Sequence, residues 1–288
     1  MPPDVTEPAR RGRTRLPDGR QLGWSEWGPP DGAPVLFCPG AATSSLLGFG
    51  ADVVDARGIR LIGLDRPGLG ASDPRPHRTL LDWSSDVRDF LAARALARPV
   101  LVGYSQGAPF ALACAEHASR VVLVAPTDEL ASPHLLDRLV PDVRALVARV
   151  ALDPDAAEAF FRGMSAETMH AMVVSTSAPD DRALYTAPAF DALYRRALAE
   201  AFAQGPDGYA RDTVLAFSRW PFDLAAIRTP VDLWLGARDH SPVHSPDLSA
   251  SLAERLPLAS RTVIEEGGGA LLWTHAERIL DASVAGRG

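Results

Sequence analysis

Ser105 lies in Gly103-Tyr104-Ser105-Gln106-Gly107, a fit to G-x-S-x-G. A serine hydroxyl is a poor nucleophile at neutral pH. It becomes a useful one when an imidazole takes its proton and a carboxylate holds that imidazole in the right tautomer. Seven histidines could supply the imidazole, namely His77, His117, His134, His170, His240, His244 and His275. The backbone N–H of Gln106, at the start of a helix, points where an oxyanion would form. The chemistry these groups would carry is acyl transfer through a covalent intermediate on Ser105.

Such a serine needs a strand before it and a helix after it. Val100-Leu101-Val102 is an apolar, β-branched run, read as a short buried strand. Ala108 to Ala115 reads as a small-residue helix, with Pro109 in its first turn, where a missing N–H matters little. Other apolar runs suit buried strands: Val35–Cys38, Ile59–Leu64 and Val121–Ala125. Their alternation with helices predicts a parallel sheet with right-handed crossovers. The serine then sits at the carboxyl end of its strand, where open α/β sheets place their sites. A hairpin turning at Pro17-Asp18-Gly19 precedes them. Helices are expected at Leu46–Ala56 and Leu80–Ala97, with Asp82 as N-cap of the latter. From Thr127 to Thr229 the strand signal vanishes. Helical stretches fall at 133–151 with a kink at Pro141, then at 154–162, 166–175, 188–203 and 208–218, with a break at Ala178-Pro179. Sheet resumes at 229–236. A helix over 246–256, a strand over 261–264 and a final helix capped by Thr274 complete the chain.

This pattern resembles the α/β-hydrolase family over nearly the whole chain. Asp65-Arg66-Pro67-Gly68-Leu69-Gly70-Ala71-Ser72-Asp73 is similar to the family's D-R-P-G-x-G-x-S-D loop. The resemblance implies an α/β fold, a mostly parallel sheet flanked by helices, with a helical cap inserted. It divides the chain into a disordered stretch 1–12, a core of 13–126 and 230–288, and a cap of 127–229. Cap residues Met164, Met169, Met172, Phe160, Phe161 and Phe202 are candidates for its pocket, but residues of this kind are more often helix-packing core, and none is assigned to ligand contact from sequence. The resemblance makes the Ala41 N–H, after Pro39-Gly40, the second oxyanion donor beside Gln106. Gly236 to Pro242 is similar to the family's acid loop, with Asp239 as triad acid. Asp128, after the Val121–Ala125 strand, is a second acid candidate with the weaker motif.

The resemblance also places the catalytic histidine in the loop Glu265–Ala270, where this chain has Ala270. Three readings follow. Another histidine substitutes, the nearest being His275 at a helix start, with His240 and His244 on the acid loop reading as surface residues. Or Ala270 is an inactivating replacement. Or Ala270 is native, and the protein binds without hydrolysing or uses Ser105 differently, since fold does not fix function. The function expected is serine-dependent hydrolysis of small ester-like substrates. The alternative is a degenerate hydrolase that binds a small molecule.

Composition limits the other classes. The 288 residues, 47% of them hydrophobic, allow a large core. A net charge of −7, with no basic run, argues against nucleic acid as partner. Cys38 and Cys114 are too few for a disulfide framework and read as buried thiols. No C-x-x-C or H-E-x-x-H spacing marks a metal site, and no cofactor motif occurs. Met1–Arg15 lacks an apolar signal-peptide core and no run is long enough to span a membrane, so a cytoplasmic protein acting on a small molecule is expected.

Overall fold

The computed structural model of the protein describes residues 5–284. An antiparallel pair, β1 (Arg10–Arg15) and β2 (Gln21–Trp27), leads into β3 (Ala33–Cys38), α1 (Ala51–Ala56), β4 (Ile59–Leu64) and α2 (Leu80–Ala93). Then come β5 (Val100–Tyr104), α3 (Gly107–Ala113) and β6 (Arg120–Val124). The strands form one sheet in the order β1-β2-β4-β3-β5-β6, completed by β7 (Val231–Gly236) and β8 (Ala259–Ile264). From β3 onward every pairing is parallel; β2 meets both β1 and β4 antiparallel.

Period-two alternation explains why the central strands read as unbroken apolar runs. Val35 and Phe37 enter the core on one face, Leu36 and Cys38 the core on the other. The first core continues into the helical insert; the second is closed by α2 and α3 through Trp83, Phe90 and Phe110. Residues 65–73 stitch this layer together. The buried Asp65 carboxylate accepts from Ser45 N at 2.5 Å and Ala71 N at 2.9 Å, and Ser72 Oγ accepts from Gly23 N at 2.8 Å.

The insert between β6 and β7 holds α4 (Pro141–Leu152), α5 (Pro154–Phe161), α6 (Ala166–Thr176), α7 (Pro179–Tyr185), α8 (Pro188–Ala201) and α9 (Asp207–Phe217). After β7 comes α10 (Ala250–Arg255), and after β8 come α11 (Leu271–Thr274) and α12 (Ala276–Val284).

Several local expectations are corrected. β1 begins at Arg10, whose guanidinium donates to the buried Glu26 at 3.0 Å, so residues 10–12 belong to the sheet; the part of the expected disordered stretch at residues 1–4 lies outside the described residues. α1 starts at Ala51 rather than Leu46, because Gly50 takes a left-handed conformation at its N-cap. Thr79, not Asp82, caps α2; Asp82 is the reciprocal partner of a capping box. Ala178-Pro179 starts α7 instead of only breaking a helix, since proline suits a first helical turn. α10 begins at Ala250, four residues after the expected start at Pro246. Thr274 ends α11 and does not cap α12.

Candidate active site

Ser105 sits on the turn between β5 and α3 with φ +49°, in the left-handed region. That backbone costs a non-glycine residue about 1–2 kcal/mol. The turn is fixed by Ser105 N donating to Val124 O at 3.1 Å and Thr127 N donating to Ser105 O at 3.0 Å. Gly107 is required by close approach: a Cβ there would lie 2.0 Å from Cys38 O.

The imidazole opposite Ser105 is that of His244. Its Nε2 is 2.8 Å from Ser105 Oγ and its Nδ1 is 2.5 Å from Asp239 Oδ2. Asp239 is otherwise engaged through Oδ1 by Ser241 N at 2.9 Å. Burial pushes the Asp239 carboxyl up, but His244 and the hydrogen bonds from its ring and from Ser241 N outweigh that and hold it below its ordinary value. An ionised carboxylate only accepts. Nδ1 of His244 therefore carries a proton, and in the neutral imidazole Nε2 is left to accept from the Ser105 hydroxyl.

His275, the nearest histidine to Ala270 along the chain, is not brought to this site. It lies between α11 and α12 with Nδ1 2.9 Å from Thr274 Oγ1 and does not line the cavity around Ser105. His240 is exposed as expected. His244, read from the sequence as another surface residue, is instead turned inward. The turn Asp239–His244 closes with His244 N donating to Ser241 O at 3.3 Å, which folds the ring back onto the carboxylate five residues earlier. The next residue anchors the loop: Ser245 N donates to Pro126 O at 3.0 Å, and Ser245 Oγ donates to Asp128 Oδ2 at 2.8 Å. Asp128 thus reaches the site through Ser245 and not through a histidine. Burial raises its carboxyl to about 6, against the pull of Ser245, Glu129 N and Arg255.

Ala270 is fully buried. The space above its loop is taken by Asp181 of α7, whose carboxylate accepts from Gly269 N at 2.7 Å and Ala270 N at 3.2 Å. Burial raises the Asp181 carboxyl, while those two N–H groups favour its ionised form. Tyr104, beside Ser105, donates to Gly269 O at 3.1 Å and lies 2.9 Å from Tyr185 Oη of the same helix α7.

Ala41 lines the cavity with Ser105, and a Cβ on Gly40 would be 3.6 Å from Ser105 Cβ. Among the described residues neither Ala41 N nor Gln106 N has a hydrogen-bond partner. Arg66, fully buried, fixes the preceding backbone by donating to Pro39 O at 2.6 Å and Gly40 O at 3.0 Å. The cavity has a volume of about 140 Å³. Phe37, Leu47 and Trp273 wall it from the core, and Met169, Met172 and Val173 from α6. Met164, Phe160, Phe161 and Phe202 do not line it.

A model of the alpha/beta hydrolase fold matches residues 33–276. The chain belongs to the α/β-hydrolase family. Solved structures of similar fold include a bromoperoxidase from Bacillus anthracis, with TM-score 0.70 and 21% identity over 96% of this chain and 99% of that one. An esterase from Exiguobacterium antarcticum has TM-score 0.67 and 17% identity over 96% and 98% of the two chains. At these identities the likeness is one of fold. The chain is also similar to a proline iminopeptidase from Neisseria gonorrhoeae, 29% identical over 127 residues, 41% of this chain. It spans about two fifths of the length of the curated relatives it matches, 39% of this one. Among the described residues no helix is long and apolar enough to cross a membrane.

Proposed function

We propose that this member of the family is a serine hydrolase of small, uncharged acyl esters, with Ser105 as nucleophile, His244 as general base and acid, and Asp239 as the group that orients His244. The observation that carries the reading is the continuous hydrogen-bonded chain from Ser105 Oγ through His244 to Asp239, at 2.8 and 2.5 Å. Both distances are within reach of direct proton transfer.

In the proposed reaction Ser105 Oγ attacks the ester carbonyl carbon as its proton passes to His244 Nε2. The imidazolium so formed faces the ionised Asp239. The carbonyl oxygen becomes an oxyanion held by Ala41 N–H and Gln106 N–H, donors otherwise unpartnered among the described residues. Collapse expels the alcohol, which takes the proton from Nε2, and leaves an acyl group on Ser105. Water then repeats the sequence: Nε2 takes a water proton, the acid departs, and Ser105 regains its hydrogen. The helical insert acts as the cap, excluding water from the acyl pocket.

A cavity of about 140 Å³ with aliphatic and aromatic walls favours short acyl chains. The degenerate-hydrolase alternative rested on an absent imidazole, and the reading with His244 supplies one. The test is a p-nitrophenyl ester series of rising acyl length, beside fluorophosphonate labelling. We expect turnover highest for acetate to butyrate, and labelling lost in Ser105→Ala. No turnover together with no labelling of Ser105 would sink the proposal.

A further inference from the structure

A second cavity, about 380 Å³ in volume, lies where the 67–78 loop meets the insert at the end of α5 and the start of α9. Its charged lining differs from the acidic balance of the whole chain, whose net charge is −7. Arg78 is buried and donates to the fully buried Asp212, the same carboxylate that takes Arg66 Nε at 2.5 Å. Two buried guanidiniums therefore share one carboxylate. Across the cavity Arg162 and Arg211 share Glu158, at 2.9 and 3.3 Å, with Asp207 also on Arg162. Arg75 is held separately by Asp82 and Asp86. Arg162 and Arg211 are thus matched by Glu158 and Asp207, whereas Arg78 on the cavity wall and Arg66 behind it have one carboxylate, Asp212, between them, an excess of one positive charge.

A buried charge without a counter-charge is expensive. Arg78 feels this directly: burial lowers its pKa, and Arg66 and Arg211 push the same way against Asp212. Its Nε is buried with no hydrogen-bond partner among the described residues. A planar guanidinium fork matches carboxylate and phosphate oxygens. We propose that this cavity is a binding site for a small molecule bearing a phosphate or carboxylate group, which Arg78 and Arg211 recognise and which supplies the missing negative charge. The site is separate from the cleft around Ser105, although Arg66, sharing Asp212 with Arg78, holds the Pro39-Gly40 backbone before Ala41.

Isothermal titration of the full chain with inorganic phosphate and with succinate, against chloride at matched ionic strength, tests this. Saturable binding of at least one oxyanion, not reproduced by chloride, is expected; which of the two binds identifies the group recognised. Arg211→Gln should weaken it about tenfold, equivalent to ~1.4 kcal/mol. Glu158→Gln removes a competing carboxylate and should tighten it, an opposite change that a merely destabilised protein would not give. Ser105→Ala should leave it unaltered. The proposal is overturned if neither oxyanion binds, if neither Arg211→Gln nor Glu158→Gln shifts the affinity, or if Ser105→Ala abolishes binding, which would place the anion in the catalytic cleft.

Discussion

Replacing His244 by alanine gives the sharpest test of the site. The ring makes two bonds, to Ser105 Oγ at 2.8 Å and to Asp239 Oδ2 at 2.5 Å, and the alanine makes neither. Ser105 would then have to attack as a neutral hydroxyl, with water as its only base. Loss of one member of such a hydrogen-bonded unit lowers the rate about 10⁴-fold or more, ~5.4 kcal/mol of transition-state stabilisation. The side chain is mostly buried but lies on a loop tied down by Ser245 and Pro126, so folding should survive. His275→Ala, away from the cavity, should leave turnover within about twofold of the parent, a change of under ~0.5 kcal/mol. Ala270→His should not help. Ala270 is fully enclosed, and a ring there would be driven into packed atoms at about 1–3 kcal/mol. The assay is p-nitrophenyl acetate turnover with the rate of fluorophosphonate labelling at Ser105, both normalised to folded protein by circular dichroism. If His244→Ala labels within tenfold of the parent, or if Ala270→His raises the rate, the assignment of His244 is wrong.

Three further outcomes are expected. Ser105→Gly should melt higher than Ser105→Ala, by about 1 kcal/mol of stability, because only glycine relieves the φ of +49° at that turn; equal melting temperatures would remove the strain argument. Asp128 holds its proton to about 6 in the folded chain against 3.8 for an unperturbed carboxyl, so folding takes up a proton between those values. Its contribution to stability is complete below pH 3.8 and is lost as pH rises through 6. The stability difference between the parent and Asp128→Asn should therefore shift by ~3 kcal/mol, in favour of the variant, between pH 3.5 and 7.5; urea melts at the two pH values measure it, and a constant difference refutes the shift. Asp181→Ala should lower stability by about 2–3 kcal/mol, since it strands the buried N–H groups of Gly269 and Ala270, and a denaturant midpoint unchanged from the parent would show those bonds to be worth nothing net.

The strand–elbow–helix around Ser105 was legible because three local signals agree there: an apolar β-branched run, flanking glycines at a close approach, and a small-residue helix. The alternation from β3 to β6 was legible for the same reason, as each buried strand carries its period in its own residues. The insert was readable as helical, but α7 was missed because Ala178-Pro179 carries both a break and a start, and only packing decides which. The histidine was the larger miss. No local pattern separates a solvent-facing His244 from one folded onto Asp239. The decision rests on the turn through Ser241 and on the Ser245 anchor to Asp128, a residue 117 positions earlier in the chain. The available signal was modest: an acid, a Ser-Pro turn and a histidine within six residues.

Placing Asp239 and His244 on one loop has consequences at β8. The loop after that strand, where the resemblance puts a histidine, no longer has to present a side chain to Ser105. Its backbone is instead held from two sides: Asp181 of the insert receives two of its N–H groups, and Tyr104 at the end of β5 donates to its Gly269 carbonyl. A Cβ on Gly268 would lie 2.2 Å from Asp181 Oδ2, so the loop accepts the carboxylate only as glycine. Ala270 and the glycines before it thus belong together with α7, and the imidazole belongs with Asp239. The substitution that looks like the loss of a triad member is, in this arrangement, the docking point of the helical insert. Its role should be read from stability and access to the cavity, and the role proposed for His244 from the chemical step.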